Sequence, residues 1–308
     1  MKGCIFAAHR KEITLLRYTI MKKARIIKIV SSRYEVLDEM GNRLLCVAMG
    51  KLRKSKSPVV GDLVMIEEFE NQIGIQKILP RKNELVRPSI ANVDQAIIVM
   101  SCKNPDFSTV LVDRLIFQVV YAQIHPVLCF TKMDLIEEDD IIHQKIKEYK
   151  ESGYEVYVSG KGYACDELIQ ALKGKISVLT GQSGAGKSSL LNRIDPSFHL
   201  QTQEISKALG RGKHTTRHCE LHEIAGGWVA DTPGFSSMDF TNMDALTLAE
   251  RIPDFQDYLH ECRFNDCIHV KEPDCAIRNA CKQGSIKKER YEHYVEIVEM
   301  IKNAKVKY

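Results

Sequence analysis

The run Gly181-Gln182-Ser183-Gly184-Ala185-Gly186-Lys187-Ser188 satisfies the pattern G-x-x-x-x-G-K-[ST]. The apolar stretch Lys175–Leu179 leads into it as a strand, and Ser188-Ser189-Leu190-Leu191-Asn192 leads out of it as a helix. That context suits phosphate binding and argues against an ordinary glycine turn. Glycines let backbone N–H groups close around phosphate oxygens, and the helix N-terminus adds a favourable dipole. Lys187 is then placed to reach the β- and γ-phosphates of a nucleotide, and the Ser188 hydroxyl to ligate Mg2+. Further along, Asp231-Thr232-Pro233-Gly234 follows the strand Gly227–Ala230. An acidic residue at a strand end can hold Mg2+ through water, and Gly234 can offer its N–H to a γ-phosphate.

A second set of residues suits a base. Thr131-Lys132-Met133-Asp134 ends the apolar run Val127–Phe130. It resembles the N-K-x-D element of GTPases, with Thr131 where asparagine is usual. A carboxylate such as Asp134 can accept from guanine N1–H and the 2-amino group together, a donor pair that adenine lacks. The Lys132 stem would lie along the base. Ser159-Gly160-Lys161 follows the next strand and resembles the S-A-K element that backs the base.

In ordinary GTPases the phosphate loop precedes the guanine motif. Here the order is guanine motif, S-x-K, phosphate loop, switch I, D-x-x-G, which is a circular permutation. Each element still sits at the carboxyl end of a strand, so the folded site can be the same. The glycine-rich basic segment Gly210-Arg-Gly-Lys-His-Thr-Thr-Arg-His218 falls where switch I belongs. Thr215 or Thr216 can supply the Mg2+ ligand there, and Thr216 is preferred. Ras-like enzymes orient the attacking water with a Gln beside D-x-x-G. Phe235 stands in that place and cannot do so. His214 is the candidate catalytic group, through either imidazole nitrogen; the alternative is that it contacts only RNA or solvent.

A third constellation is Cys262-x4-Cys267-x-His269-x5-Cys275, three thiolates and one imidazole within fourteen residues. Structural zinc takes four such ligands in a tetrahedron. The spacing is irregular compared with C-x2-C fingers, and a redox or disulfide cluster is the competing reading. Cys281 is a fifth sulfur, read as a core or free thiol. Cys46, Cys102, Cys129 and Cys219 sit singly among apolar residues and read as small core residues.

These residues need elements to hold them. From Ala24 to Leu79 the pattern gives five short strands, Arg25–Val30, Tyr34–Leu37, Arg43–Met49, Asp62–Phe69 and Ile73–Leu79. They suit a small barrel such as an OB-fold, and an SH3-like barrel fits nearly as well. The loop with Lys51, Arg53, Lys54 and Lys56 is a basic surface of the kind that binds nucleic acid. Pro80–Asn92 reads as a linker. Continuous apolar strands then alternate with helices: Gln95–Ser101, helix Val110–Gln123, Val127–Phe130, helix Glu138–Glu151, Tyr154–Val158, helix Cys165–Leu172 and Lys175–Leu179. That alternation predicts a mostly parallel sheet covered on both faces. After about Thr241 the chain reads as helical, ending in a charged helix around Gly284–Val306. Lys282, Lys287, Lys288 and Arg290 there read either as RNA contacts or as a solvated face.

The 308 residues allow two or three domains, and 44% hydrophobic against 27% charged content fits a largely globular chain. Net charge is +4, unevenly spread. Residues 1–85 carry 17 Lys and Arg against 9 Asp and Glu, whereas 86–241 carry 16 against 19. The basic excess is N-terminal and suits a polyanion. No apolar run approaches the roughly 18–20 residues of a membrane span, and the short apolar patch after Lys2 is cut off at Arg10, Lys11 and Glu12. A soluble, cytoplasmic, monomeric protein without disulfides or membrane contact is expected. Met21-Lys22-Lys23 resembles a fresh start, so residues 1–20 read as an upstream-start artefact, with a basic extension as the alternative.

The permuted order, the preceding small barrel and the cysteine cluster together resemble the ribosome small-subunit-dependent GTPase A family over nearly all of residues 21–308. The resemblance implies a multidomain protein. It would comprise an N-terminal extension (1–20), an OB-fold RNA-binding barrel (21–82), a circularly permuted α/β P-loop GTPase domain (83–241) and a helical zinc-binding domain (242–308). It implies GTP contacts at Thr131, Lys132, Met133, Asp134, Ser159, Lys161, Gly181–Ser189, Asp231 and Gly234, with Mg2+ at Ser188 and Thr216. The family carries the same C…C-x-H…C pattern, which implies one structural Zn2+ on Cys262, Cys267, His269 and Cys275. It also implies GTP hydrolysis to GDP and phosphate, stimulated by the small ribosomal subunit and its rRNA, in late maturation of that subunit. Two other readings remain at this point. One is a P-loop ATPase or kinase in which Thr131–Asp134 is coincidental. The other is an RNA-binding assembly factor for which nucleotide is a structural ligand.

Overall fold

The structure, a computed structural model, describes residues 21–49, 52, 57–69, 72–85, 89–196, 219–231 and 239–305. Expectations resting on residues 1–20, Lys51, Arg53, Lys54, Lys56, His214, Thr215, Thr216, Gly234 and Phe235 lie outside the described residues.

Alternating apolar residues build the first unit. In β2 (Arg33–Asp38) buried and half-buried positions alternate along the strand, as a sheet with one covered face requires. It lies between β1 (Lys22–Val30) and β3 (Arg43–Ala48). With β4 (Leu63–Phe69) and β5 (Gln72–Ile78) the strands run β1-β2-β3-β5-β4, and β4 pairs back onto β1. The β3–β5 pair is parallel and the rest are antiparallel. Such closure is that of the OB-fold, and it sets aside the SH3-like alternative. Ala24, Ile26, Val36, Cys46, Val64, Ile66 and Ile75 fill the interior.

The described residues of the expected linker Pro80–Asn92 are instead packed structure. Arg81 pairs with the fully buried Asp62 at 2.6 Å and with Glu84 at 2.6 Å. β6 (Glu84–Leu85) pairs with β7 (Ile90–Ala91), and the Ala91 N–H donates to Val60 of the barrel at 2.9 Å. Leu85 and Ile90 are apolar enough to bury, which a free linker would not need.

The second unit is a twisted sheet. β8 (Gln95–Ser101), β9 (His125–Thr131), β10 (Glu155–Val158), β11 (Ile176–Thr180), β12 (Glu220–Ile224) and β13 (Gly227–Asp231) lie in the order β10-β9-β8-β11-β13-β12. All neighbours are parallel except β12–β13. Every residue of β8 is buried, the mark of a strand covered on both faces. The cover is α1 (Thr109–Tyr121) and α2 (Ile141–Glu151) on one face, α3 (Asp166–Leu172) and α4 (Lys187–Ile194) on the other. α2 begins at Ile141 rather than Glu138, because the Asp140 side chain caps it by accepting the Ile142 N–H at 2.9 Å. β12 has no counterpart among the expected strands; its five residues are only partly alternating. Through the bridge from Lys28 to Glu220, β12 joins β1, so among the described residues one sheet of 11 strands runs through both units.

The last unit holds α5 (Ala245–Ala249), a 3-10 turn Pro253–Tyr258, α6 (Ala276–Gln283) and α7 (Lys288–Lys305). It has more core than its sequence suggests. Ile277, Tyr294, Ile297, Val298 and Ile301 are buried and join the cluster of Phe117 and Ile116 on α1. Arg290 is also buried, against the expectation of an RNA-facing or solvated residue. It bonds Asp254 and, at 3.3 Å, Asp113 of α1. Two carboxylates repay the desolvation of one guanidinium. Of the other basic residues, Lys287 pairs with Glu151 at 3.4 Å and Lys288 with Glu292 at 3.5 Å.

Candidate nucleotide site and metal centre

The parallel order makes β8 and β11 neighbours from which the chain departs in opposite directions. Their carboxyl ends therefore flank a crevice, the usual ligand position of such sheets. The phosphate loop follows β11. Its first glycine, Gly181, has φ +130°, and a Cβ there would stand 2.0 Å from the Val99 carbonyl oxygen of β8. Only glycine fits that contact. Gly184 and Gly186 also have positive φ, and Gly186 leads directly into α4. Lys187, the first residue of α4, donates from Nζ to the carbonyls of Gly181 and Gln182, both at 2.8 Å. Burial lowers its pKa, a cost that anionic phosphate oxygens would offset. Ser188 and Ser189 follow in the first turn, while Gln182, Ser183 and Ala185 complete the loop.

β9 ends beside this loop. Thr131 is buried, and its hydroxyl donates to the Ala185 carbonyl at 2.5 Å, with the Met100 carbonyl 3.2 Å away. The residue in the asparagine position thus ties the base motif to the phosphate loop. Lys132 follows in the left-handed region, φ +59°, and its Nζ donates to the Asn104 carbonyl. The Met133 side chain is buried, 3.4 Å from the Cys102 sulfur, and its N–H donates to the Ser159 carbonyl at 3.1 Å. Asp134 accepts the Lys161 N–H at 2.8 Å. Ser159, at the end of β10, is buried and donates its N–H to Phe130 at 2.8 Å. Asp231 ends β13 in register with Glu220. The base motif, Ser159-Gly160-Lys161 and the phosphate loop thus meet at one edge of the sheet, although the chain reaches them in permuted order.

The cysteine cluster lies in the third unit. The ligand atoms of Cys262, Cys267, His269 and Cys275 are all within 4.8 Å of one another. Cys262 Sγ is 3.6 Å from His269 Nδ1 and 3.9 Å from Cys275 Sγ, and Cys275 Sγ is 3.4 Å from His269 Nδ1. A tetrahedral zinc with Zn–S bonds of about 2.3 Å has ligand edges of about 3.8 Å, so the cage fits that ion. Burial lowers the His269 pKa to about 4, leaving a neutral imidazole fit to ligate. Burial raises the Cys267 and Cys275 thiols, a shift that a dication would reverse. Cys281 lies outside the cage. Sequence reasoning does not find the loop's supports. Glu272 accepts the N–H groups of Val270 at 2.8 Å and Lys271 at 2.9 Å, and the Tyr291 and Tyr294 hydroxyls of α7 donate to His269 and Ile268 carbonyls. Nothing in a lone Glu or Tyr signals such a role before the chain is folded.

A parallel sheet with its guanine-type motif before its phosphate loop, fronted by an OB-fold, defines a circularly permuted P-loop GTPase. Known proteins agree. The sequence model of the family described as RsgA GTPase matches residues 78–241. The Small ribosomal subunit biogenesis GTPase RsgA of Bacillus subtilis is 45% identical over 298 residues, covering 94% of this chain and 100% of the relative. That of Geobacillus kaustophilus is 45% identical over 295 residues with the same coverage. Among solved structures, YloQ, a circularly permuted GTPase, superposes with TM-score 0.78 at 39% identity, over 96% of this chain and 98% of that one. YjeQ from Thermotoga maritima gives TM-score 0.79 at 34% identity, over 92% and 99%. The chain belongs to the RsgA GTPase family. It is a GTP hydrolase, and the ATPase or kinase alternative falls away.

Proposed function

We propose that this GTPase binds the immature small ribosomal subunit, assists its late maturation, and hydrolyses GTP at a rate that the subunit raises. The observation that carries the reading is the bond from Thr131 to Ala185, which holds a guanine-type motif and a phosphate loop as one site. The relatives' names, as small ribosomal subunit biogenesis GTPases, supply the partner. In this reading Asp134 accepts from guanine, with Lys132 along the base and Thr131, Met133, Ser159 and Lys161 shaping the pocket. Gly181–Ser189 wrap the phosphates, with Asp231 and Gly234 at the γ end. Ser188 and Thr216 hold Mg2+, which when bound neutralises charge on the β- and γ-oxygens. His214 positions the water that adds to γ-phosphorus as the bond to the bridging oxygen breaks, yielding GDP and phosphate. Cys262, Cys267, His269 and Cys275 hold one structural Zn2+.

The unit boundaries proposed are 21–82 for the rRNA-binding barrel, 83–241 for the GTPase domain and 242–308 for the zinc domain. The protein acts as a monomer in the cytoplasm, where the subunit is built. No helix among the described residues is long and apolar enough to cross a membrane. GTP turnover measured with and without purified small subunits tests the function. Turnover rises several-fold or more with subunits, and a rate indifferent to them overturns the proposal. The His214→Ala chain binds GTP but loses the stimulated rate; if it keeps that rate, the water belongs to another residue.

A further inference from the structure

α4 starts at the phosphate loop and ends beside the base loop. Its last turn carries Arg193. One guanidinium nitrogen donates to the Ser159 hydroxyl at 2.9 Å and to the Gly160 carbonyl at 2.8 Å, and the other donates to the Tyr163 carbonyl. Three acceptors of one loop are thus held by one side chain from the helix that carries Lys187. The planar fork of arginine suits this, because its donors diverge at fixed angles.

The loop needs an outside support. Gly160 and Gly162 lie within it, the latter at φ +88°, so its own backbone resists bending little. On its inner side it meets Asp134: the Lys161 N–H donates to Oδ1 at 2.8 Å, and a Cβ at Gly160 would stand 2.5 Å from that oxygen. On its outer side stands Arg193. α4 itself is fixed, with Leu190, Leu191 and Ile194 buried beneath the sheet beside Ile97 and Val99.

We propose that Arg193 is a positioning residue for guanine selection: it braces the 159–163 loop against α4, and through Lys161 that loop sets the Asp134 carboxylate. The proposal rests on reading Asp134 as the guanine acceptor. Arg193 never touches the nucleotide in this scheme. It acts on how well Asp134 meets the two donors of guanine, and so on discrimination rather than on phosphate binding.

The test compares GTP with ITP, whose base lacks the 2-amino group, by equilibrium binding to the full chain. In Arg193→Ala, GTP affinity falls about tenfold, ITP affinity falls less, and the GTP-over-ITP preference shrinks by roughly threefold or more. A general loosening would weaken both alike, so an unchanged preference overturns the proposal whether or not affinity falls. Arg193→Lys keeps the charge and bulk but cannot span three acceptors, and its preference falls between wild type and Ala. If the Ala chain does not fold, an unchanged preference in Arg193→Lys overturns the proposal in its place. Asp134→Asn separates the two ideas. A preference untouched by that substitution overturns the guanine reading and the brace with it. A preference lost in Asp134→Asn and kept in Arg193→Ala overturns the brace alone.

Discussion

At Gly160 a methyl group would stand 2.5 Å from Asp134 Oδ1 and 2.9 Å from the Asp134 nitrogen. The S-A-K element of other GTPases has alanine at this place, whereas the Lys161 N–H here draws Asp134 against the loop backbone. Gly160→Ala therefore forces either the carboxylate or the loop to move. Overpacking of that kind costs about 1–3 kcal/mol, which corresponds to a roughly fivefold to 150-fold loss of GTP affinity if the carboxylate yields. Titration with GTP measures it, and wild-type affinity in the variant would show that the loop gives way at no cost. The residue Gly160 is visible in the sequence; its reason is not, since it depends on a distance between segments 26 positions apart in chain number. Thr131 is similar. By residue type it departs from the guanine motif, and only its approach to Ala185 shows a hydroxyl doing the bracing.

At the scale of elements, α1 and α7 meet across a buried polar cluster. Asp113 on α1 faces Arg290 and His293 on α7 and accepts from the Tyr149 hydroxyl at 2.8 Å, and Asp254 closes the far side with Arg290 and Tyr154. His293 Nδ1 lies 2.6 Å from Asp113 Oδ2. That hydrogen bond raises the His293 pKa, burial opposes it, and the charges of Asp113, Glu289 and Glu296 add to the rise. A raised folded-state pKa means the stabilisation is complete below the unfolded value, about 6.5, and is lost as pH climbs through the folded value. His293→Gln should thus lower stability by about 1–3 kcal/mol at pH 6, with the gap to wild type closing as pH rises. Denaturant melts at pH 6 to 9 check this, and a gap that stays constant would mean that His293 is not charged in the fold. The elements themselves are largely legible, because buried strands such as β8, with Ala96–Met100 at its centre, are mostly apolar and α1 repeats with helical period. β12 and the β6–β7 pair are not, because five and two residues carry too little periodicity. Arg290 misleads for a related reason: a charged side chain reads as surface until its two carboxylates arrive from distant segments.

Across the whole molecule, the OB-fold and the GTPase sheet share an edge. Lys28 of β1 lies in register with Glu220, the first residue of β12, and their side chains pair at 2.7 Å. On its other side Glu220 is in register with Asp231, the aspartate of D-x-x-G. Lys28 therefore stands two strands from the proposed γ-phosphate end of the site, and the strand between, β12, begins just after the segment read as switch I. Both side chains are about one-third exposed, at 36% and 29%, so the pair is worth only about 0.2–1 kcal/mol to global stability. Its effect should instead be local, at the junction where, among the described residues, the Lys28–Glu220 bridge joins β12 to β1. Lys28→Glu sets like charges opposite each other there, with Glu35 also in register on β2. We expect the melting temperature to hold while β12 amides exchange roughly 1.4-fold to fivefold faster with deuterium, the factor equivalent to that energy. Adding Glu220→Lys restores the opposite charges and should return the exchange to wild type. If Lys28→Glu leaves β12 protection unchanged, the barrel merely abuts the GTPase sheet. If protection falls and the double substitution restores it, the barrel and the nucleotide end are joined through this strand, and the same pair of variants can then be assayed for subunit-stimulated turnover.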